Sequence, residues 1–162
     1  MEMRSNLGCH FLNEKTTNWV VTGAAGGLGT ALLEKLARAG HEVVAIDKDL
    51  KGLESLYDAI EEQGLRPPAL YPMDLVGASV EDYDTLARAI QEELGSIHHL
   101  IHGAAIFKAL RPMMHQPISE WLEITQVSIH SPLLLTQALM PLLDKSTGSS
   151  ITFVIGGTAL EQ

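Results

Sequence analysis

The chain reads Thr22-Gly23-Ala24-Ala25-Gly26-Gly27-Leu28-Gly29 between a short apolar run and a helical pattern. The apolar run, residues 19–22, predicts a buried strand, and residues 28–39 predict a helix that Gly40 ends. At such a junction glycines let backbone N–H groups and the positive end of a helix dipole approach an anion, because no side chain intervenes. The octapeptide therefore predicts a diphosphate site, with a flexible loop of no function as the alternative.

Apolar and amphipathic segments alternate along the rest of the chain. Strands are predicted at residues 19–22, 42–46, 67–71, 99–102 and 151–155, with helical patterns between them. Strands that alternate with helices of this size indicate a parallel sheet with right-handed crossovers. We expect a Rossmann-type, doubly wound α/β fold with the strand order 3-2-1-4-5.

Three helix starts are predicted from capping residues. Asp49 precedes the second helical pattern, and Ser79 with Asp82 has the spacing of a capping box before the third. Ser119 is expected to cap a long helix that runs to about residue 143. Pro132 interrupts that pattern and should kink or split the helix, because proline cannot donate a backbone hydrogen bond.

Charge and composition exclude several classes of protein. The formal net charge is −9, so binding to a nucleic-acid backbone is not expected. The apolar runs are shorter than a bilayer span, and residues 1–16 lack the continuous apolar stretch of a secretory signal. Cys9 is the single cysteine, which fits a reducing compartment. We expect a soluble, cytoplasmic protein with an N-terminal tail at 1–16 and one domain at 17–162.

An acidic residue ends the second predicted strand. Asp47 lies 24 residues after Gly23, where a carboxylate can accept hydrogen bonds from both ribose hydroxyls of a dinucleotide and repel a 2′-phosphate. This position favours NAD over NADP, and Lys48 and Lys51 stand close enough to soften the repulsion. The alternative is that Asp47 only marks the start of a helix.

Three histidines near the fourth strand raise the question of a metal. His98, His99 and His102 cannot all converge, because neighbouring side chains on a strand point to opposite faces. A zinc site usually needs three or four ligands. No metal is therefore expected.

In its glycine turn the chain resembles the short-chain dehydrogenase/reductase family, whose members are single-domain NAD(P) oxidoreductases. Thr22, Gly23, Gly27 and Gly29 match the family's Thr-Gly-x-x-x-Gly-x-Gly, and the likeness runs from about Asn18 to the end of the chain. It implies a cofactor site that includes these four residues together with Leu28, Asp47, Lys48, Asp74, Leu75, His102 and Ala104. Asp74 and Leu75 would contact adenine, and His102 and Ala104 lie where the family has Asn-Asn-Ala-Gly.

The resemblance also implies catalytic positions, and this chain departs from them. Ser128 stands where the family has a catalytic Asn, and Gly156 where it has a catalytic Ser, with Thr158 the nearest hydroxyl. The family's Tyr-x-x-x-Lys is expected beyond residue 162. The residues four positions after the three tyrosines are not lysines. Hydride transfer to a carbonyl needs a positioned proton donor, so we expect no turnover from this chain alone and predict no catalytic residue in it.

Three interpretations follow. The first is the cofactor-binding part of an NAD(P)-dependent oxidoreductase that acts on an unknown small-molecule carbonyl or alcohol and lacks the C-terminal strands and helices of the fold. The second is a non-catalytic dinucleotide-binding module with a regulatory or assembly role, and the third is a degenerate product that does not fold stably. Apolar residues on both faces of strand five predict a covering segment or partner, and the helix around Trp121 allows a homo-oligomer.

Overall fold

The fold is taken from a computed structural model, which describes residues 16–109 and 111–156. The predicted tail, apart from Thr16, and Thr158 lie outside the described residues. The elements in chain order are β1 (Asn18–Thr22), α1 (Gly27–Arg38), β2 (Glu42–Asp47), α2 (Leu50–Glu61), β3 (Ala69–Pro72), α3 (Val80–Leu94), β4 (His99–His102), α4 (Ile118–Thr125), α5 (Ser131–Leu143) and β5 (Ser150–Phe153).

The five strands form one parallel sheet in the order β3-β2-β1-β4-β5. The doubly wound fold and its strand order are thus confirmed. In the central strand, Thr22 is paired with Ile46 of β2 and with His102 of β4. The carboxyl ends of β1, β2 and β4 therefore meet at one edge, and the loops that follow them can form a common site.

Two apolar cores cover the two faces of the sheet. On one face α1 and α2 pack on β1 and β2, and Leu33, Leu53 and Ala45 are completely buried there. On the other face α3 and α5 pack on the sheet, and Leu100 and Leu139 are completely buried. Successive strand residues point to opposite faces, so the continuous apolar runs of β1 and β2 supply both cores.

Two of the predicted caps are present. The Asp49 side chain accepts a hydrogen bond from the Gly52 N–H at the start of α2. Ser79 and Asp82 form the reciprocal capping box of α3. The Ser79 N–H and hydroxyl both donate to the Asp82 carboxylate, and these two bonds hold the pKa of that carboxyl below its usual value. The local sequence was sufficient here because both partners lie within three residues of each other.

The helical region after β4 differs from the prediction. Ser119 is not a cap: α4 begins at Ile118, Pro117 precedes it, and no side chain caps the helix. A π-helical turn, Gln126–His130, separates α4 from α5, and the Ser131 N–H donates to the carbonyl of Gln126. Pro132 lies in the first turn of α5, so the predicted interruption occurs just ahead of the proline that cannot donate.

The two edge strands are shorter than their apolar patterns. β3 begins two residues later than predicted, because Pro67 and Pro68 cannot donate to a ladder. β5 ends at Phe153, and Ile155 beyond it is 74% exposed. Among the described residues, no helix is both long and apolar enough to cross a membrane.

Candidate functional site

A cleft of about 320 Å³ opens at the carboxyl ends of the central strands. Ten of the eleven predicted cofactor residues line it: Thr22, Gly23, Gly27, Leu28, Gly29, Asp47, Lys48, Asp74, Leu75 and Ala104. His102 does not. The cleft therefore joins the glycine turn, the end of β2 and the loops after β3 and β4, which are far apart in the sequence.

The glycine turn is fastened to β2 by backbone hydrogen bonds. The N–H groups of Gly23 and Ala24 donate to the carbonyl of Ile46, over 2.9 and 3.2 Å. The first intrahelical bond of α1 runs from the Thr30 N–H to the Gly26 carbonyl over 2.8 Å. The N–H groups of residues 27–29 consequently have no partner within the helix, and the first turn of α1 carries no acidic side chain. This end of α1 is electropositive and faces the cleft.

The glycines of the motif have different structural roles. Gly23 has a φ of +74°, and a Cβ there would lie 2.7 Å from the backbone of residues 103–104. A Cβ on Gly29 would lie 2.2 Å from the carbonyl oxygen of Gly23, so this glycine allows α1 to pack against the turn. A Cβ on Gly27 would meet no protein atom within 4 Å. Gly23 and Gly29 are therefore required by the fold, whereas the absence of a side chain at Gly27 leaves the cleft open.

Asp47 connects the glycine turn with the start of α2. Its Oδ2 accepts a hydrogen bond from the Ala25 N–H, and its Oδ1 accepts one from the Asp49 N–H, each over 3.0 Å. Each carboxylate oxygen keeps a further lone pair. Lys48 follows directly and is exposed at the rim of the cleft. This end of the cleft thus presents both a carboxylate and an ammonium group.

Thr22 connects β1 with the loop after β4. Its Oγ1 accepts from the N–H groups of Gly103 and Ala104, over 3.1 and 3.2 Å, and lies 3.5 Å from the carbonyl oxygen of Ile101. The side chain is buried. This threonine therefore fixes the distance between the glycine turn and the opposite wall of the cleft.

The loop after β3 forms another wall. Leu75 is buried, whereas Asp74 is exposed and accepts a hydrogen bond from the Val76 N–H over 3.1 Å. The carbonyl of Asp74 accepts from the Gly77 N–H over 3.2 Å. The loop is thus a compact turn that directs a carboxylate to the rim of the cleft.

His102 lies behind the cleft and not in its wall. It is 5% exposed, its Nε2 lies 3.0 Å from Thr136 Oγ1, and its ring stacks on Phe153 with centroids 4.8 Å apart. Burial lowers the pKa of its imidazole from 6.5 to about 4. The strand period explains the position, since His102 points to the face that α5 covers.

The two altered catalytic positions also lie outside the wall of the cleft. Ser128 is exposed within the π-helical turn, while its neighbour Val127 is buried and lines the cleft. Gly156 is exposed beyond the end of β5, and Val154 is the residue from that segment that lines the cleft. The described residues do not bring these two positions together with the glycine turn.

Two ion pairs join the segment after β4 to α4. Lys108 Nζ lies 2.8 Å from a Glu123 carboxylate oxygen, and the Arg111 guanidinium lies 2.7 Å from Glu120. The hydrogen bond to Glu123 raises the pKa of the Lys108 ammonium, and the hydrogen bond from Arg111 lowers the pKa of the Glu120 carboxyl. Phe107 in this segment lines the cleft and is 83% exposed.

Sequence reasoning from the glycine motif does not identify several residues that line the cleft: Met73, Val76, Ile106, Phe107, Val127 and Val154. Most of them follow a strand, and the rule that the carboxyl ends of parallel strands meet would have found their segments. The bonds of Asp47 to the turn depend on the tertiary fold and have no sequence signal. Among the described residues, no cluster of three or more His, Cys, Asp or Glu side chains has the geometry to hold a metal ion.

Residues 17–162 match the short chain dehydrogenase family. The oxidoreductase YciK of Escherichia coli is 31% identical over 134 residues, which cover 83% of this chain and 53% of YciK. A sulfoacetaldehyde reductase from Chromohalobacter salexigens is 28% identical, over 83% of this chain and 52% of its own length. The chain thus spans about half the length of these relatives.

Solved structures of short-chain dehydrogenases superpose on the chain. One from Pseudomonas syringae has a TM-score of 0.86 and 29% identity, and the match covers 91% of this chain and 60% of the other. One from Shigella flexneri, solved with NADP, has a TM-score of 0.84 and 28% identity, over 90% and 61% of the two chains. One from Escherichia coli, solved with NADPH, has a TM-score of 0.83 and 29% identity, over 90% and 60%.

Proposed function

Because this chain belongs to the short-chain dehydrogenase family, we propose that it binds a nicotinamide dinucleotide in the cleft, as the cofactor-binding part of an oxidoreductase. The observation that carries the proposal is the electropositive start of α1, which opens on the cleft beside Gly27. N–H groups without helical partners suit the oxygens of a pyrophosphate. The protein contributes position and charge, and the cofactor supplies the hydride.

Gly27 provides the sharpest test of the pyrophosphate position. A Cβ there would meet no protein atom within 4 Å, so Gly27→Val should leave the fold intact and fill the space beside the N–H groups. We expect NADH affinity to fall by about 100-fold or more, because the loss of several charge-assisted hydrogen bonds is worth about 3 kcal/mol. Isothermal titration calorimetry measures the affinity, and circular dichroism verifies the fold.

Ala39→Val is the control. Ala39 is exposed at the C-terminal end of α1, opposite the end that opens on the cleft, and it does not line the cleft. Its NADH affinity should equal that of the wild-type chain. Equal affinities of the Gly27 and Ala39 variants would refute the pyrophosphate position, and an absence of binding by the wild-type chain to both NADH and NADPH would refute the proposed function.

The adenosine ribose is assigned to the end of β2. Asp47 is held toward the glycine turn by its two backbone hydrogen bonds, and its spare lone pairs suit ribose hydroxyls. A 2′-phosphate would bring negative charge against this carboxylate, so NAD(H) is favoured over NADP(H). Lys48 acts in the opposite sense. The structures from Shigella flexneri and Escherichia coli solved with NADP and NADPH make the reverse preference the competing outcome.

The ratio of NADH to NADPH affinities measures this balance. Asp47→Asn keeps an oxygen for one backbone N–H and removes the charge, so the ratio should shift toward NADPH by about tenfold. Lys48→Ala should shift the ratio toward NADH. If both variants keep the wild-type ratio, the ribose does not lie at the end of β2.

We also propose that this chain alone binds the dinucleotide without turnover of a carbonyl or alcohol. Support comes from Ser128 and Gly156, which replace the side chains implied by the family resemblance and lie away from the cleft wall. NADH oxidation at 340 nm with a panel of small aldehydes and ketones should stay at the buffer rate. A measurable rate that Gly27→Val abolishes would instead favour a complete catalytic site. A regulatory or assembly module without catalysis is the alternative that gives the same result.

A homo-oligomer through α4 and α5 is the partner that we propose. Trp121, Leu122 and Leu133 are 49%, 60% and 55% exposed on this surface. Apolar groups grouped in this way are typical of an interface. Analytical ultracentrifugation should detect a dimer that Leu122→Asp dissociates, and a monomeric wild-type chain would contradict the proposal.

A further inference from the structure

Two buried hydroxyl groups connect α3, α5 and the loop after β3. The Tyr83 O–H donates to Ser131 Oγ over 2.9 Å, and the Ser131 O–H donates to the carbonyl of Leu75 over 3.1 Å. Both side chains are 1% exposed. Neither residue lines the cleft of about 320 Å³. A buried hydroxyl is costly unless it is bonded, so this chain of bonds constrains all three segments together.

The direction of the Ser131 bond is unusual for a serine in a helix. Such a hydroxyl commonly bonds to a carbonyl one turn earlier in its own helix. Here it reaches Leu75, 56 positions away in the sequence. The bond therefore ties the start of α5 to the loop after β3.

The peptide unit between Leu75 and Val76 transmits this constraint. The unit is planar, so fixing the direction of its carbonyl also fixes the direction of its N–H. That N–H, on Val76, donates to Asp74 Oδ1 over 3.1 Å. The Ser131 hydroxyl and the Asp74 carboxylate are thus bonded to opposite sides of one rigid plane. A rotation of the plane would release both bonds.

We infer that Ser131 and Tyr83 are positioning residues that orient the Asp74 carboxylate for recognition of the adenine amino group. The inference rests on the proposed dinucleotide function. Asp74 lies at the rim of the cleft and has a second carboxylate oxygen, Oδ2, to accept from an amino group. Without the hydroxyl of Ser131 the plane is free to rotate, and the carboxylate loses its fixed direction.

The test compares NADH with its hypoxanthine analogue, which has a carbonyl oxygen in place of the adenine amino group. A correctly oriented carboxylate attracts the amino group and repels the oxygen, so the wild-type chain should bind NADH more tightly. Ser131→Ala should weaken NADH binding by about three- to tenfold, on the scale of one misplaced hydrogen bond, and should not weaken binding of the analogue, whose oxygen the oriented carboxylate repels. Tyr83→Phe leaves the Ser131–Leu75 bond in place and should have a smaller effect in the same direction.

Asp74→Ala sets the upper limit of the effect. Adding Ser131→Ala to Asp74→Ala should change the affinities no further, because the serine acts through the carboxylate. Thr85→Ala removes an exposed hydroxyl that bonds within α3, and it should match the wild-type chain in both affinities. Thermal unfolding of each variant reports the structural cost separately.

The possible outcomes distinguish this inference from the proposed function. Equal losses for NADH and its analogue in Ser131→Ala would mean that the hydroxyl only stabilises the fold, and the inference would be overturned. Unchanged affinities in Asp74→Ala would overturn it as well, while dinucleotide binding would stand. If the wild-type chain binds neither dinucleotide, the proposed function fails first.

Discussion

The carboxyl ends of β1 and β2 differ from those of β4 and β5. At the former, backbone bonds join the glycine turn to Ile46, and Val21 and Ile46 are almost completely buried. At the latter, Phe153 and Ile155 are 57% and 74% exposed, and the segment after β4 is attached to α4 by surface ion pairs. Both regions contribute to the same cleft.

The difference shows that the described residues fix one side of the cleft more firmly than the other. The turn depends on close backbone approach, which glycines and neighbouring strands provide within about thirty residues. The other side depends on side chains and on coverage of β5, which the described residues leave partly open. We therefore expect substitutions at the turn to damage the fold most, and substitutions at the ion pairs least.

Gly29→Ala should have the largest effect on stability. The new Cβ would lie 2.2 Å from the Gly23 carbonyl oxygen, and backbone on both sides of the contact prevents relief. We expect a loss of more than about 4 kcal/mol in the free energy of unfolding, measured by urea denaturation. Gly27→Ala is the matched control and should stay within about 1 kcal/mol of the wild-type chain. Similar losses for the two variants would contradict the separation of their roles.

The buried imidazole of His102 should make the stability of the fold depend on pH. The pKa of its imidazole is about 4 in the folded chain because of burial, against 6.5 when exposed. Between these values the unfolded chain binds a proton that the folded chain excludes, so stability falls as the pH falls from 6.5 to 4. The loss should approach about 3 kcal/mol. Burial also lowers the pKa of His99, which acts in the same direction.

His102→Gln should flatten this part of the pH profile of stability, because the amide can keep a bond to Thr136 and does not titrate in this range. An unchanged profile in His102→Gln would show that the imidazole is not buried in its neutral form.

Thr22→Val tests the link between the two regions. The substitution keeps the volume and leaves the N–H groups of Gly103 and Ala104 without the Oγ1 that accepts from them. We expect a loss of about 2 kcal/mol in the free energy of unfolding. Thr85→Val is the exposed control. A loss no larger than that of the control would mean that the two regions are held together by packing alone.

The smallest effect is expected at the surface ion pairs. Lys108→Met removes the partner of Glu123, and exposed pairs contribute little because solvent screens them. The free energy of unfolding should stay within the scatter of repeated denaturation curves at both low and high salt. A clear, salt-dependent loss would show that this segment is held as firmly as the glycine turn.

The sequence was sufficient for the features whose cause is local. The alternation of strands and helices predicts the parallel sheet, and the doubly wound pattern predicts its strand order. The glycine motif and the ends of β2 and β3 predict most of the cleft wall, from Thr22 to Leu75. His102 was assigned by its position in a motif, which does not reveal the face of the strand. A hydroxyl is the usual signal of a cap and points to Ser119, whereas α4 begins one residue earlier, after Pro117.

Features that depend on distant partners had no such signal. The sequence predicts Asp47 as a ribose acceptor, but its bond to Ala25 arises only when β1 and β2 lie side by side. The bond from Ser131 to Leu75 likewise joins segments that the sheet brings together. Long-range hydrogen bonds of this kind follow from the fold and cannot be deduced from spacing.

The wide turn at Gln126–His130 sets the phase of the helices on either side of it. In α4 no residue is buried, whereas Leu135, Leu139 and Leu142 of α5 are in the core. Removing one residue from the turn would rotate α5 by about 100° relative to α4. Deletion of a single codon there would turn the leucines outward and Ser131 away from the Leu75 carbonyl. The residues of β1 and β2 that line the cleft would be unchanged.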